Sequence, residues 1–582
     1  MLLIIQYRLS ALMLVLFVAV TSVSIYASED AGQTVPAVTQ DSQNNQASPN
    51  ESADISERFE VVDKIHFAPC PENPSLECGT INLPVDYRKP RGETFGMVVI
   101  RAKATNPAKR IGVLMVNPGG PGGSGVNFII GRGVQLPLLI GLRERFDLVS
   151  FDVRGSHRSR PVRCEVDTTN VPTDSSDEAL ATFFDDFGRR LAKACLDQNG
   201  AFITSMSTNN IARDMDVLRR ALGERQITYA GVSYGTALGA VYASLFPQRV
   251  RGMALDGGML PEFRDYYAEY TSEQGVAIDL AFQRLDQLCR KDSACRLQDT
   301  GVTPAFDTVM AQLKAAPVTS KDGVVLSDEN ATFAIHSLLY IEPLWPLIVD
   351  ALANALAGNH TLFFQFASSV TSITPVFPAS TSEASLAIQC NDFGTRRLAT
   401  EYLPVSQAFS AYSPRFIGRP SVSVAAQLAQ CSGWPAADLP IIRNVKNRVA
   451  TPIMLVGNDF DPSTPLNWTR RLARALGMEQ SLIRYQGGGH TAVAQFSPCI
   501  NSALKAYLFD LTIPAEGFSC PAQPIRFNPP AAPAAAEGKL KTDTLKDHQP
   551  CVPPVDFDPT TGGGRVSVWT NAATDRPPID CQ

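Results

Sequence analysis

A strand-like run, QITYAG at 226–231, passes into a helix-like one, ALGAVYASLF at 237–246, with Gly231-Val-Ser233-Tyr-Gly235 turning the chain between them. In a reversal that sharp, side chains two positions either side of the centre would collide with neighbouring backbone. Glycines there relieve the clash and leave the Ser233 hydroxyl exposed at a helix N-terminus. The same rhythm recurs upstream. IGVLMV (111–116) and FDLVSFD (146–152) each run into a turn, and NNIARDMDVLRRALG (209–223) has apolar residues at helical spacing, with Asn210 as a cap and Gly223 as a stop. Strands alternating with helices predict an α/β fold whose mostly parallel sheet is covered on both faces.

After GMALDGGMLPEF (252–263) the text turns helical, and strand signals resume only at ATPIMLVGND (450–459) and SLIRYQGGGH (481–490). Six segments follow from this reading. Residues 1–27 form a signal peptide, with Arg8 before the apolar run at 11–20 and cleavage near Ala27. Residues 28–57 are a polar linker too poor in apolar surface to order itself. The core occupies 58–263, a helical lid 264–435, the rest of the core 436–526, and a Pro/Ala linker with a cysteine-containing tail 527–582. An inserted helical block of this kind is expected over the C-terminal ends of the strands, where ligands bind.

Composition narrows the chemistry. A net charge of −6 without any basic block argues against a nucleic-acid partner. The N-terminal apolar run is shorter than the roughly 20 residues a membrane span needs, so no stable membrane partner is expected and the chain is read as exported, periplasmic or secreted. The 12 cysteines are dispersed and only 6 histidines are present, which fits disulfides rather than a metal site. No metal or cofactor is expected. Short loops within one segment close most easily, which predicts the pairs Cys70–Cys78, Cys164–Cys195, Cys289–Cys295, Cys390–Cys431, Cys499–Cys520 and Cys551–Cys581.

A serine nucleophile needs a base, and the base an orienting acid, in the order Ser, Asp/Glu, His for this architecture. His490 follows the strand-like LIRYQ and three glycines, whereas His548 sits in the polar tail; His66, His336 and His360 fall too early. For the acid, VGNDFDPSTP offers Asp461, preferred because a Pro-rich turn follows it, with Asp459 as the alternative. The oxyanion requires two N–H donors. Tyr234, just after the serine, supplies one, and the loop NPGGPGGSG (117–125) supplies the other, preferably Gly120 because Pro121 has no N–H. A phosphate-binding reading of this loop fails because no Gly-Lys-Ser/Thr follows.

Taken together, NPGGPGGSG, FDVRGSHRS, ARDMDVLRRALG leading to ITYAGVSYGT, LDGG, AIQCNDF, CSGW, DPSTP and GGGH resemble the secreted α/β-hydrolase peptidases related to prolyl and tripeptidyl aminopeptidases, with a tripeptidyl-aminopeptidase-like C-terminal region. The likeness spans roughly 60 to 520 and departs from the family at His157, usually glycine, and in GGGHT. It implies an α/β-hydrolase fold and a cofactor-free serine aminopeptidase that removes residues or short peptides from free N-termini of peptide substrates. A carboxylesterase with the same triad is the alternative, and a catalytically silent binding protein a more remote one. Cutting from free N-termini requires a carboxylate to meet the substrate ammonium. The acidic residues Glu262, Asp265, Glu269 and Glu273 cluster near the lid junction and Asp392 follows Cys390; Glu262 and Asp392 are the preferred contacts.

Overall fold

The computed structural model describes residues 55–527, except 61–63, 134–135, 167–175, 264–265, 322, 372–379, 394–395, 410–412, 414, 417–428, 440 and 447. The expected signal peptide, most of the linker and the tail with Cys551 and Cys581 therefore lie outside the described residues. The last linker residues do not: 55–57 form a helical turn in which Ser56 is buried, and the Arg220 guanidinium donates to the Ser56 and Phe59 carbonyls.

Twelve strands are described. β1 (Ala68–Pro69), β2 (Glu77–Pro84), β3 (Thr94–Ala102), β4 (Gly112–Asn117), β5 (Phe146–Phe151), β6 (Ile227–Val232), β7 (Val250–Asp256), β10 (Met454–Phe460), β11 (Leu482–Gly488) and β12 (Ser519–Cys520) join one sheet, while β8 (Val318–Thr319) and β9 (Val325–Leu326) form a separate ribbon. The sheet order is β1-β2-β3-β5-β4-β6-β7-β10-β11-β12, antiparallel up to the β3/β5 pair and parallel from β5 onward. Every residue of β4 and β5 is buried, as expected of parallel strands covered on both faces. Successive side chains divide between two cores: Val99, Met115, Val149 and Leu455 face one, Ile100, Leu114, Leu148 and Met454 the other.

The helix over Thr208–Ala221 begins slightly earlier than its sequence suggests. Ser207, not Asn210, caps it by accepting from the Asn210 N–H, while the Asn210 amide donates to the Ser205 carbonyl. Gly223 does stop it, at φ +74°.

The helical insertion has two parts. Residues from Ile278 to Phe366, joined by Phe416 and Phe527, build a separate core, in which Phe282, Phe306 and Phe416 pack with ring centroids 5.2–5.5 Å apart. The helices Ser380–Phe393 and Ala399–Phe409 instead contribute Ile388, Phe393 and Tyr402 to the main-body core. Asp185, on the helix Asp177–Asn199, accepts from the Ala399 N–H and the Thr400 hydroxyl across that junction. Five of the six expected disulfides are present: Cys70–Cys78, Cys164–Cys195, Cys289–Cys295, Cys390–Cys431 and Cys499–Cys520.

One buried ion pair braces the antiparallel edge. Arg154 and Asp214 meet at 2.6 Å with no exposed side-chain surface, Tyr87 donates to the same carboxylate at 2.7 Å, and Arg154 also donates to the carbonyls of Pro84, Val85 and Ser205. Removing one partner of a buried pair leaves an uncompensated charge, so Asp214→Ala is expected to lower stability by about 3–5 kcal/mol. Equilibrium urea unfolding checks this, and a loss below about 1 kcal/mol would contradict it.

Candidate active site

Ser233 stands between β6 and the helix Tyr234–Leu245 with φ 56° and ψ −126°, a conformation a non-glycine residue holds only when its surroundings impose it. The glycines are needed for close approach. A Cβ on Gly231 would lie 2.3 Å from the Gly235 carbonyl oxygen, and one on Gly235 2.8 Å from the Asn117 carbonyl oxygen. The loop after β4 presses on the same turn, since a Cβ on Gly119 would come within 2.7 Å of the Val232 carbonyl oxygen and 3.0 Å of Ser233 Cβ. Asp152, at the end of β5, holds that loop by accepting from the Ser124 hydroxyl and the Val126 N–H. The Gly119 N–H is engaged by Asn117 Oδ1 at 3.0 Å, while Gly120 is the next residue along the loop, at φ +118°.

Asp461 and His490 arrive from the loops after β10 and β11. His490 Nδ1 lies 2.9 and 3.1 Å from the two Asp461 oxygens, and both residues are buried. Asp461 also accepts from the backbone N–H groups of Ser463, Thr464 and Thr491 and from the Thr464 hydroxyl. A carboxylate so placed stabilises the Nδ1–H tautomer and leaves Nε2 as the basic nitrogen. That Nε2 is buried and has no hydrogen-bond partner among the described residues, whereas most buried polar atoms have one. Asp459, the alternative acid, forms an ion pair with Arg484 instead. Gly257, just past β7, is where the parts converge: a Cβ there would meet Thr464 Oγ1 at 2.8 Å, Thr491 Cγ2 at 2.9 Å and His490 Cε1 at 3.6 Å.

The three glycines before His490 serve a purpose that their sequence alone does not disclose. The space that a side chain would take at each of them is already filled. A Cβ on Gly487 would meet Glu342 Oε2 at 2.5 Å, one on Gly488 the Trp345 ring at 2.3 Å, and one on Gly489 Gln495 Oε1 at 2.4 Å. Glu342 and Trp345 belong to the insertion. Its Tyr340 carbonyl accepts from the His490 N–H at 2.7 Å, and the Tyr340 ring packs edge-on against the imidazole at 5.1 Å. Gln495 completes the clamp by donating to the carbonyls of Tyr340, His490 and Thr491 while accepting from the Glu342 N–H. No period or motif in the sequence links 340–345 to 487–495.

The other expected residues are placed as follows. Tyr234 begins its helix, and its buried hydroxyl lies 2.5 Å from Thr208 Oγ1. Asp392 is buried, with both oxygens committed to the Thr208 N–H and hydroxyl, because its helix packs on the main body and turns it inward. Glu262 is exposed just after β7, and Glu273 is taken up by Trp468 and Arg471. His157 is buried at φ 42°, its pKa lowered by burial against the raising influence of Asp152.

A strained serine at the end of a central parallel strand, with a buried Asp–His pair brought to the same sheet edge from later loops, defines an α/β hydrolase. The family model described as "alpha/beta hydrolase fold" matches residues 112–288, and that described as "TAP-like protein" matches residues 420–520. The chain is 31% identical to "Serine protease Hip1" of Mycobacterium tuberculosis over 492 residues, covering 78% of this chain and 91% of the relative. It is 26% identical to "Tripeptidyl aminopeptidase" of Streptomyces lividans over 460 residues (76% and 83% covered) and 29% identical to "Carboxylesterase B" of Mycobacterium tuberculosis over 463 residues (77% and 86% covered). The chain belongs to the α/β-hydrolase family, in its branch with a TAP-like C-terminal part, and is a serine hydrolase of that family.

Two predictions follow from the geometry. Gly488→Ala forces its new methyl into Trp345 and displaces the loop that carries His490. Hydrolysis is expected to fall at least about ten-fold, because small misplacements of reacting groups are costly. Gly131→Ala, where a Cβ would meet nothing within 4 Å among the described residues, serves as the silent control. Equal activity in the two variants would contradict the clamp.

The second concerns Asp392, whose pKa burial raises from 3.8 to about 7 despite the Thr208 hydrogen bonds. A raised carboxyl pKa means that the folded state holds the proton more tightly than the unfolded chain. Stability from this group is therefore present below about pH 4 and is lost as pH rises toward 7, at up to about 1.4 kcal/mol per pH unit. Urea unfolding between pH 5 and 7 should show a steeper decline for wild type than for Asp392→Asn. Parallel declines would contradict it.

Proposed function

We propose that this protein is an exported serine aminopeptidase that releases residues or short peptides from free N-termini. The observation that carries the reading is the buried His490, oriented by Asp461 through Nδ1, with Nε2 unpartnered among the described residues, at the same sheet edge as the strained Ser233. In the reaction, Ser233 Oγ attacks the scissile carbonyl as its proton passes to His490 Nε2. Asp461 stabilises the imidazolium, which then protonates the leaving amine. The acyl-enzyme is released when water repeats the sequence. The N–H groups of Gly120 and Tyr234 receive the oxyanion, while the neighbouring Gly119 N–H is held by Asn117.

Peptides as substrates are supported by likeness to a serine protease and a tripeptidyl aminopeptidase. Export is supported by five disulfides, which persist in oxidising compartments. For the substrate ammonium the two candidate carboxylates are Glu262, which is exposed, and Asp392, which is buried with its oxygens on Thr208. A carboxylesterase is the second reading, favoured by the likeness to Carboxylesterase B.

Ser233→Ala is expected to abolish hydrolysis while the protein remains folded, with His490→Ala nearly as severe; losses for such groups reach about a million-fold. Residual activity above about a thousandth of wild type in either variant would refute the triad. A panel of free and N-acetylated peptide amides beside p-nitrophenyl esters separates the two readings. An aminopeptidase cleaves the free peptides and spares the acetylated ones, whereas an esterase turns over the esters and neither peptide.

A further inference from the structure

Asp256 has no part in the reaction as described, yet it touches both halves of the site. It ends β7, between β6, which leads into Ser233, and β10, which leads into Asp461; Val232 and Val456 are its register partners. Its backbone carbonyl accepts from the Ser233 N–H at 2.9 Å. Its carboxylate accepts from the Ala492 N–H through Oδ1 at 2.9 Å and from the Val493 N–H through Oδ2 at 2.8 Å. Those residues lie two and three positions beyond His490. One residue thus grips the elbow with its main chain and the histidine loop with its side chain.

Resting on the assignment of Ser233 and His490 as the reacting pair, we propose that Asp256 is a positioning residue whose two carboxylate oxygens fix the approach of the His490 loop to Ser233. Two adjacent N–H donors need two acceptor oxygens. Asparagine offers one and turns its own N–H₂ toward the other donor. The carboxylate is costly to keep where it is. It is 3% exposed, and burial pushes its pKa up to about 7, with the nearby Asp461 charge adding to the rise and the two backbone N–H groups and His490 opposing it. A carboxyl group retained against that cost has its clearest use in holding the loop.

The test compares wild type with Asp256→Asn and Asp256→Glu by kcat and KM on a p-nitrophenyl ester, by the rate of fluorophosphonate labelling, and by urea unfolding. The Asn variant is expected to lose about ten- to a hundred-fold in kcat and in labelling rate, since displacement of a reacting group by about 1 Å has effects of that size. KM should stay within about two-fold, as uniform binding is untouched. The Glu variant keeps the charge but moves the oxygens, and the same split is expected of it, so the proposal stays testable if the Asn variant does not fold. Wild-type kcat and labelling rate in a folded variant would overturn the proposal, as would loss only in proportion to the unfolded fraction. Wild-type labelling at a residue other than Ser233 would instead remove the triad on which the proposal rests.

Discussion

The site depends on keeping the Asp461 carboxylate out of water. Withdrawing that charge costs several kcal/mol unless hydrogen bonds replace its solvent shell. Three backbone N–H groups, the Thr464 hydroxyl and His490 Nδ1 do so. Much of the local sequence answers to that requirement. The Asp-Pro-Ser-Thr-Pro turn aims the Ser463 and Thr464 N–H groups back at the residue that begins it, and Thr491, at φ 60°, brings in the third. The imidazole receives a fixed tautomer as a consequence, because the Asp461 carboxylate beside Nδ1 is already oriented.

Much of this was legible in the sequence because it is local. Gly231-Val-Ser233-Tyr-Gly235 announces its own strain, and the clash that its glycines relieve is the one expected from the pattern. Strand rhythm gives the parallel sheet, and the disulfides join neighbours in sequence. The preference for Asp461 over Asp459 was legible in the Pro-rich turn that follows it, but the engagement of Asp459 was not: it lies within β10 and pairs with Arg484 of the neighbouring β11. The clamp around Gly487, Gly488 and Gly489 was illegible for a different reason. Glycine in a loop signals freedom and close approach alike, and Glu342 and Trp345 lie more than 140 residues earlier. The inward turn of Asp392 depends on which core its helix joins, and apolar periodicity shows that a helix is amphipathic without showing what covers it.

That division of the helical insertion is its most consequential property. Its first part, with a core of its own, reaches His490: the Tyr340 carbonyl receives the His490 N–H and its ring packs on the imidazole, and Trp345 fills the space above Gly488. Its second part reaches the turn that carries Ser233. Asp392 holds Thr208, and Thr208 meets the Tyr234 hydroxyl one residue past Ser233. A cover that only excluded water would need neither connection. These contacts make the insertion part of the scaffold that sets the separation of serine and histidine, from opposite ends. A change within its cores, far from any reacting atom, can therefore act on the chemical step as well as on substrate binding. Insertion surfaces that touch neither Tyr340–Trp345 nor Asp392 are free of that constraint, and are where side chains can vary to select substrates without disturbing the Asp461–His490 pair.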